Sequence, residues 1–429
     1  MFNKIFKLPL YTQIIIALGI AIILGIALGA GRPITSKENL EHLALPAKLI
    51  IRALSTLATP LIFLSIINTL LTADIPGNAA KRLGVLLTTN TVVAIGIGLL
   101  VANVVKPGSY GKNLVPDKTS DLLEKTKSFD PWQLLDGVVP DSIVKPFADK
   151  TSVISLILLA LAIGIAVRSI KQHQVKNQQT DYQPLEQIIT MLFNTIIKVL
   201  HWVIALVPLA VLGIVSKTIA IQGFAPFQSL LAFILAVILA LSLQAVYYMV
   251  RISLGSWVSP QRFFSKGLDP LVAAFSTASS TATMPITYET LINKVGLRRS
   301  SASLGALVGS NFNNDGTALY EAISALFIAQ VMNLNLNITQ QLMVMLTSIF
   351  ASVGAAGIPE AGLVTMSLVF NSVGLPVEFI TILLTVDWFL DRLRTAINVM
   401  GDMTVSSLID GKQRSPATSE LLEEAIDNS

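Results

Sequence analysis

The sequence predicts an all-α polytopic membrane protein, and two observations support this prediction. Hydrophobic residues make up 53% of the 429 residues and charged residues only 13%, whereas about 25% of the residues of a typical soluble domain are charged. Several apolar stretches are also long enough for a helix to cross a bilayer, which takes about 20 residues. Cysteine is absent, which excludes disulfides and thiolate metal sites.

Six apolar segments of spanning length come before residue 256. They cover residues 10–30, 45–72, 83–105, 131–168, 187–216 and 225–255. The first follows Lys4 and Lys7, as the apolar part of a signal peptide does, but its length and the further segments favour a first transmembrane helix. Beyond residue 256 the segments become shorter, richer in Ser, Thr, Gly and Ala, and interrupted by proline or charge.

Lysine and arginine determine the predicted orientation. With the N-terminus in the cytoplasm, the connections around residues 73–82, 168–184 and 251–266 are cytoplasmic and contain the basic residues that the positive-inside rule requires. The loop 106–130 places five lysines outside, against the rule, together with four acidic residues. Because the net charge of +4 is explained by orientation, we expect no nucleic-acid partner.

The C-terminal half contains two related interruptions. Residues 278–285 and 352–359 are runs of small residues that end in proline, and each lies between two apolar half-segments. About 30 residues beyond each proline, charge interrupts an apolar stretch, at Asp315 and at Asp391. Interrupted segments in corresponding positions of two halves indicate a transporter binding site, so each run is interpreted as a re-entrant hairpin with exposed backbone groups at its tip. A pair of small-residue helix-packing faces is the alternative.

The first charged interruption is the stretch Asn311-Phe312-Asn313-Asn314-Asp315-Gly316-Thr317, which has the composition of a turn. At membrane depth it predicts an unwound helix whose carbonyls, amides and carboxylate offer oxygen ligands to a hard cation. The EF-hand spacing is missing, so Na+ is favoured over Ca2+. In a soluble protein the same stretch would be only a loop.

Glu321 follows this stretch with no basic residue within four positions. A buried carboxyl without a cationic partner tends to bind a proton. Glu321 is therefore a candidate proton carrier, and a structural hydrogen bond is the alternative.

A polar stripe lies in the last apolar stretch. At about 100° per residue its members share one sector of a helix; they are Asp387, Asp391, Arg394, Thr395, Asn398 and Asp402. Arg394 can hold a carboxylate with a two-pronged hydrogen bond, and Asp391, one turn away, can hold an ammonium group. This pattern predicts a site for an acidic amino acid. An internal ion pair of Arg394 with Asp387 or Asp391 explains the spacing equally well.

Enzyme signatures are missing from the sequence. It contains no His-Glu-x-x-His, Gly-x-Ser-x-Gly or P-loop pattern, and its three histidines are isolated from one another. We therefore predict that the chain is not an enzyme or a nucleotide-driven pump.

Three stretches resemble one known family, the glutamate transporters or dicarboxylate/amino acid:cation symporters. They are residues 313–317 (Asn-Asn-Asp-Gly-Thr), 355–359 (Ala-Ala-Gly-Ile-Pro) and 387–402. The resemblance spans nearly the whole chain, and the stretches 318–322 and 361–366 are similar to the animal excitatory amino acid transporters. The length and short loops suggest a prokaryotic member, located in the cell (inner) membrane with both termini in the cytoplasm.

The resemblance implies a homotrimer in the lipid bilayer that works as an elevator. Each protomer would have eight transmembrane helices and two re-entrant helical hairpins, built as inverted repeats. Residues 1–75 and 131–218 would form a fixed scaffold, and residues 76–130 would be helix 3 of the transport domain with an outer loop. Residues 219–411 would complete the transport domain, and residues 412–429 would be a cytoplasmic tail.

The resemblance also implies the substrate contacts. Arg394 would bind the side-chain carboxylate of L-glutamate or L-aspartate, and Asp391 would bind its ammonium group. The main-chain groups of the substrate would contact Asn398 and Thr395, with Thr317 nearby. The α-carboxylate would be held at the two hairpin tips by Ser279, Ser280, Gly354, Ala356 and Gly357.

The resemblance places the co-transported ions as well. One Na+ would bind Asp402 with Asn313, and another would bind Asp315 with Asn313, completed by Asn90 and Thr91. A third would lie between the second hairpin and the break before Asp315. Glu321 would carry H+, and because members that return K+ share this glutamate, K+ counter-transport is also compatible with it.

Two positions depart from the family pattern. Asn314 replaces the methionine of Asn-Met-Asp-Gly-Thr beside a sodium site, where an amide would add a sodium ligand or change ion coupling. Ala278 replaces a tip arginine of archaeal members, and Arg392 occupies the alternative position found in animal members.

The sequence therefore predicts a secondary-active symporter of L-glutamate or L-aspartate driven by Na+. A C4-dicarboxylate symporter would not need Asp391, and a neutral amino acid exchanger would lack Arg394. An anion-conducting channel, the alternative from another class, needs a continuous lined pore.

Overall fold

The computed structural model describes residues 8–31, 33–72, 77–111, 140, 142–148, 153–354 and 361–414. These ranges are predominantly helical and contain no β-strand. Within them lie fourteen helices of at least seven residues: α1 Leu10–Ala27, α2 Lys37–Leu43, α3 Leu45–Thr72, α4 Gly77–Val105, α5 Val153–Lys176, α6 Gln183–Ile204, α7 Val207–Gln222, α8 Ala225–Gly255, α9 Pro260–Thr277, α10 Ser280–Thr290, α11 Asp315–Val331, α12 Ile338–Gly354, α13 Ala361–Ser372 and α14 Ile380–Asp410.

Short helical turns connect some of these helices. Two of them have π geometry, and the others are 3₁₀ or single α turns; they are Pro107–Gly111, Lys145–Ala148, Leu291–Val295, Arg299–Ala302, Ser303–Val308, Gly309–Asn311 and Val377–Phe379.

Six helical stretches of the described ranges are long and apolar enough to cross a membrane. They are Leu10–Ala27, Leu45–Thr72, Lys81–Tyr110, Ser155–Lys176, Gln183–Gln222 and Pro226–Gly255. They correspond to the six apolar segments expected from the sequence, and together they make the chain a multi-pass membrane protein.

Two of the predicted segment boundaries are wrong. The segment predicted at 187–216 is divided, because α6 ends at Ile204 and α7 begins at Val207. Pro208, in the first turn of α7, has no N–H group to donate to the carbonyl four residues earlier, and its ring crowds that carbonyl, which favours a break between the two helices. The segment predicted at 131–168 has its helix at Val153–Lys176, so part of the predicted polar connection 168–184 is helical; residues 131–139 lie outside the described ranges.

Two pairs of consecutive helices pack against each other at the predicted small-residue runs. In the first helix pair, α9 and α10, the connection is Ala278–Ser279, with Ala278 in the left-handed region at φ 53°. Ser279 caps α10 by accepting a hydrogen bond from Ala282 N at 3.2 Å, which satisfies one of the free amide groups at a helix start. In the second helix pair, α12 and α13, the connecting residues 355–360 lie outside the described ranges.

Only the first of the two charged interruptions breaks a helix in the part of the chain that the structure describes. Residues Phe312–Asn314 are non-helical between the turn Gly309–Asn311 and α11, whereas α14 continues without a break through Asp391.

The helices pack in two groups. In one, α3 packs against α5, α6 and α7, and α1 packs against α7. In the other, α11 packs against α4, α12, α13 and α14, and α8 packs against α4 and α14. The groups meet where α13 and α12 contact α3 and where α14 contacts α7.

The end of α14 is anchored by Asp410. Its carboxylate accepts hydrogen bonds from Trp257 Nε1 at 2.6 Å and from Arg298 Nε at 2.9 Å. Arg82 Nη2, near the start of α4, donates to Leu408 O at 2.7 Å. These contacts fix the axial position of α14, and with it the polar stripe, against α4 and the segments that flank the first helix pair.

Candidate functional site

The polar stripe of α14 is buried inside the protein. Its six members are each at most 7% exposed: Asp387, Asp391, Arg394, Thr395, Asn398 and Asp402. Charged groups inside a membrane protein are costly and usually belong to a substrate or ion pathway. The stripe faces α11, which supplies most of the remaining polar groups.

Arg394 lies at the centre of the stripe and is fully buried. Its Nη2 atom lies 2.7 Å from Asp391 Oδ1 and 3.0 Å from Asp387 Oδ1. Its guanidinium carbon lies 4.0 Å from the centre of the Tyr320 ring, within cation–π distance. The structure therefore contains the internal ion pair that the sequence left as an alternative.

The ion pair does not use all the donors of Arg394. Within the described residues, Nε and Nη1 have no hydrogen-bond partner, although a buried guanidinium donor without a partner is costly. A Cβ atom added to Gly362, near the start of α13, would collide with Nη1. The Nη1 side of the guanidinium therefore lies directly against the backbone next to the second connection, and it retains donors for a further carboxylate.

The non-helical residues before α11 contact α14 through side-chain amides. Asn398 Nδ2 donates to Asn314 Oδ1 at 3.0 Å and to Thr317 Oγ1 at 3.3 Å, and Asn398 Oδ1 accepts from Gly316 N at 2.8 Å. A Cβ atom on Gly316 would lie 2.7 Å from Arg394 O, so only glycine allows this approach. Three predicted substrate residues, Thr317, Asn398 and Arg394, are thereby brought together.

Asp315 is enclosed by hydroxyl groups. Its Oδ1 atom accepts a hydrogen bond from Thr91 Oγ1 at 2.6 Å, and its Oδ2 atom accepts one from Tyr248 OH at 2.5 Å. The predicted contact of Thr91 with Asp315 is therefore present. Asn90 is oriented differently, since its side-chain oxygen accepts a hydrogen bond from Arg251.

Asn313 connects the break to the lower part of the stripe. Its Nδ2 atom donates to Asp402 Oδ1 and to Asn398 O, both at 2.8 Å. Its Oδ1 atom is buried and has no hydrogen-bond partner among the described residues. Asn313 thus lies beside Asp402 with one oxygen available for a cation.

Glu321 lies six residues beyond Asp315 on α11 and is fully buried. Neither of its carboxyl oxygens has a hydrogen-bond partner in the described part of the chain. The polar groups around it are the hydroxyls of Thr365 and Ser348 and the guanidinium of Arg394. Both hydroxyls are close enough to interact with the Glu321 carboxyl, so a structural hydrogen bond stays the alternative interpretation for this residue.

The two connections differ in how much of them is described. In the first, Ser279 caps α10 and Ser280 is buried, and Arg392 Nη1 donates to Phe275 O and Ser276 O at 2.8 and 2.6 Å. Arg392 on α14 thus contacts the last turn of α9, next to the first connection. In the second, Gly354 ends α12, and the predicted residues Ala356 and Gly357 lie outside the described ranges.

Several contacts of the site were not predicted from the sequence. Tyr248 and Tyr320 contact Asp315 and Arg394, and their only local signal is a tyrosine in an apolar span. No group of three or more His, Cys, Asp or Glu side chains that could hold a metal occurs in the described residues. The oxygen atoms around Asp315 and Asp402 are instead those of single carboxylates, amides and hydroxyls, which suit a hard monovalent cation.

Comparison with known proteins shows the family of the chain. A sequence model of the sodium:dicarboxylate symporter family matches residues 10–412. The chain is 31% identical to excitatory amino acid transporter 4 of Mus musculus, over 91% of this chain and 81% of that protein. It is 30% identical to an excitatory amino acid transporter of Caenorhabditis elegans, over 87% and 82%, and 30% identical to excitatory amino acid transporter 1 of Ambystoma tigrinum, over 92% and 82%. The chain belongs to the sodium:dicarboxylate symporter family and is therefore a membrane transporter, not an enzyme.

Proposed function

We propose that the chain is a secondary-active symporter of the acidic amino acids L-glutamate and L-aspartate, driven by Na+. The observation that supports this most directly is the buried guanidinium of Arg394, which keeps two donor nitrogens unpaired beside Asp391. A guanidinium binds a carboxylate through charge-assisted hydrogen bonds. The names of the similar animal proteins, excitatory amino acid transporters, support the same class of substrate.

The proposed substrate lies between α14 and the two helix connections. Arg394 binds the side-chain carboxylate and Asp391 the ammonium group, so the ion pair between them opens when substrate enters. Asn398, Thr395 and Thr317 contact the main-chain groups. Ser279 and Ser280 of the first connection and Gly354, Ala356 and Gly357 of the second hold the α-carboxylate.

We propose two Na+ sites on the break before α11. One is formed by Asp315, Asn313 and Thr91. Asn90 becomes a further ligand of this site when its side-chain oxygen gives up the hydrogen bond from Arg251. The other uses Asp402 with Asn313. Both carboxylates are buried and each has a neutral donor on it, Thr91 or Asn313. Turning these side chains presents their oxygens to a cation.

Glu321 is proposed as the site of H+ co-transport. It is a fully buried carboxyl on α11, four residues beyond Thr317, and it has no ion-pair partner among the described residues. A neutral, protonated carboxyl is the form that low-dielectric surroundings favour. The same residue would then be available for K+ counter-transport after substrate and proton leave.

The packing in two groups supports an elevator mechanism. The scaffold comprises residues 1–75 and 131–218, and the moving part comprises residues 76–130 and 219–411. The extensive packing of α4 against α11 and α8 supports assigning α4 to the moving part. In this proposal the helix pairs are re-entrant hairpins, eight helices span the bilayer, both termini are cytoplasmic, and three protomers form the transporter.

Ligand-dependent thermal stability tests the proposed substrate. The purified protein would be heated with L-glutamate, L-aspartate or succinate, each in Na+ and in choline. A ligand that binds only the folded protein raises Tm. We expect both amino acids to raise Tm in Na+ and not in choline. A rise with succinate and none with the amino acids would instead identify a C4-dicarboxylate symporter, in which Asp391 binds no ammonium group.

A further inference from the structure

Asn314, in the break before α11, makes a contact between two helices that the proposed sodium sites do not require. Its side chain is 4% exposed. The amide nitrogen donates to Ser352 O at 2.7 Å, and the amide oxygen accepts from Asn398 Nδ2 at 3.0 Å. One short side chain therefore joins α12, the first arm of the second helix pair, to the substrate residue Asn398 on α14.

The acceptor, the backbone carbonyl of Ser352, lies at the C-terminal end of a helix. Ser352 lies in the last turn of α12, which ends at Gly354. The last carbonyls of a helix have no partner within the helix, and they lie at the negative end of the helix dipole. Such a carbonyl is neutralised either by a cation or by a hydrogen-bond donor. Here Asn314 provides the donor.

The oxygen atom of the Asn314 amide also has a hydrogen-bond partner in a fixed orientation, Asn398. Asn398 accepts from Gly316 N at 2.8 Å through its own oxygen, so its orientation is fixed and its nitrogen points towards Asn314. Two hydrogen bonds of the Asn314 amide thus link Ser352 to Asn398, a side chain proposed to bind substrate. The position of the second helix pair and the orientation of Asn398 are coupled through this amide.

A methionine at this position, as in the Asn-Met-Asp-Gly-Thr pattern of the family, could not make the same contact. A thioether has no donor and is a weak acceptor. Among the described residues no other side chain donates to Ser352 O, so this carbonyl would then be open to a cation between the second helix pair and the break. The asparagine therefore changes which group holds α12 in place.

We propose that Asn314 is a positioning residue whose amide takes the place of one sodium ion, holding the second helix pair against Asn398 without a cation at Ser352. The inference rests on the proposed function, and it assigns Asn314 as a hydrogen-bond donor and not as a sodium ligand. Its consequence is that substrate binding uses one Na+ fewer than it would with methionine at this position.

The test measures the apparent Kd for L-aspartate, or for L-glutamate if that binds better, over a series of Na+ concentrations. The variants are Asn314→Met and Asn314→Leu, neither of which has a hydrogen-bond donor for Ser352 O or a strong ligand for a cation. Asn68→Met is the matched control, because Asn68 also makes a bond between helices, accepting from Thr190 Oγ1 at 2.9 Å, but within the proposed scaffold. The readout is the slope of log Kd against log [Na+], which reports the ions bound with substrate.

We expect both Asn314 variants to have a steeper slope than the wild type, by about one ion. At low Na+ their affinity should be about tenfold weaker, as expected for loss of a buried hydrogen bond, and the difference should shrink as Na+ rises. Asn68→Met should keep the wild-type slope. Asn314→Leu keeps the branching of asparagine at Cγ, so it gives the answer if Asn314→Met does not fold.

Three results would overturn the inference. An unchanged slope with unchanged affinity would show that the bond to Ser352 has no role in binding, and a uniform loss of affinity with unchanged slope would show that it is only structural. A shallower slope would show that Asn314 is itself a sodium ligand. Failure of the proposed function is distinguishable, because the wild type would then show no sodium-dependent binding of either amino acid.

Discussion

Replacing Arg394 by cysteine removes the group on which the proposed specificity depends. The side chain is fully buried and paired through Nη2 with Asp391 and Asp387. Its Nε and Nη1 atoms have no partner among the described residues. Arg394→Cys takes away these donors and the positive charge, and it leaves space in which a neutral side chain fits.

The expected loss of affinity can be worked out from these donors. A hydrogen bond to a charged group contributes about 1.5–3 kcal/mol, so two of them contribute roughly 3–6 kcal/mol. This corresponds to a loss of affinity for L-aspartate and L-glutamate on the order of 100-fold to 10,000-fold. A neutral amino acid makes no such bonds, so Arg394→Cys should bind L-serine or L-alanine at least as well as the wild type does.

The assay is sodium-dependent uptake of acidic and neutral amino acids by Arg394→Cys in proteoliposomes. Removing one partner of a buried ion pair destabilises a protein, so retained uptake of a neutral amino acid also shows that the variant is folded. Arg392→Cys is the matched control, since this arginine lies two residues away and contacts the last turn of α9. It should keep the preference for acidic substrates. Unchanged uptake of glutamate by Arg394→Cys would refute the assignment of Arg394 to the substrate carboxylate.

Three further predictions concern the other parts of the site. Glu321→Gln should still exchange substrate in Na+ but lose the dependence of uptake on a pH gradient, because its amide carries no proton; proton co-transport that persists would assign the proton to another group. Thr91→Val loses the 2.6 Å bond to Asp315 and should raise the Na+ concentration for half-maximal uptake severalfold while the order of preferred substrates stays the same; an unaltered Na+ requirement would remove Thr91 from the site. Gly316→Ala places a Cβ atom 2.7 Å from a backbone oxygen of α14, so we expect a stability loss of about 1–3 kcal/mol and weaker substrate binding in thermal and calorimetric measurements. Gly96→Ala, whose Cβ would have no atom within 4 Å, should show neither effect, and equal behaviour of the two glycine variants would contradict the close-approach argument.

Much of the fold follows from local patterns in the sequence. Apolar length predicts the spanning helices because crossing the hydrocarbon region without water requires an apolar helix of that length. Helical periodicity predicts that the stripe from Asp387 to Asp402 shares one face, and the structure buries that face. The turn composition at Asn313 and Asn314 likewise predicts the break before α11.

Contacts between distant parts of the chain could not be predicted in this way. Tyr248 and Asp315 are 67 residues apart, and Asn314 and Ser352 are 38 residues apart. Nothing in the local sequence of either partner specifies the other, because the contact exists only after α8, α11 and α12 have packed. The division of the predicted segment 187–216 depends on one proline, Pro208, whose effect on a helix varies with its surroundings.

The partner of Arg394 could not be predicted from the sequence either. Spacing alone was equally compatible with an internal ion pair and with a substrate carboxylate. The structure contains the ion pair, and it also leaves two donors of the same guanidinium without a partner in the described residues. In the proposed mechanism the two interpretations are successive states of one group, in which Asp391 exchanges its arginine partner for the substrate ammonium group.

The most direct test of the central claim is uptake of labelled L-aspartate and L-glutamate into proteoliposomes, with and without an inward Na+ gradient and with internal K+ varied. We expect accumulation above equilibrium that requires the Na+ gradient, and a response to internal K+ would add counter-transport to the mechanism. Accumulation that follows a proton gradient and needs no Na+ would contradict the sodium sites assigned to Asp315 and Asp402. A current without saturable uptake would contradict the symporter itself and identify an anion channel.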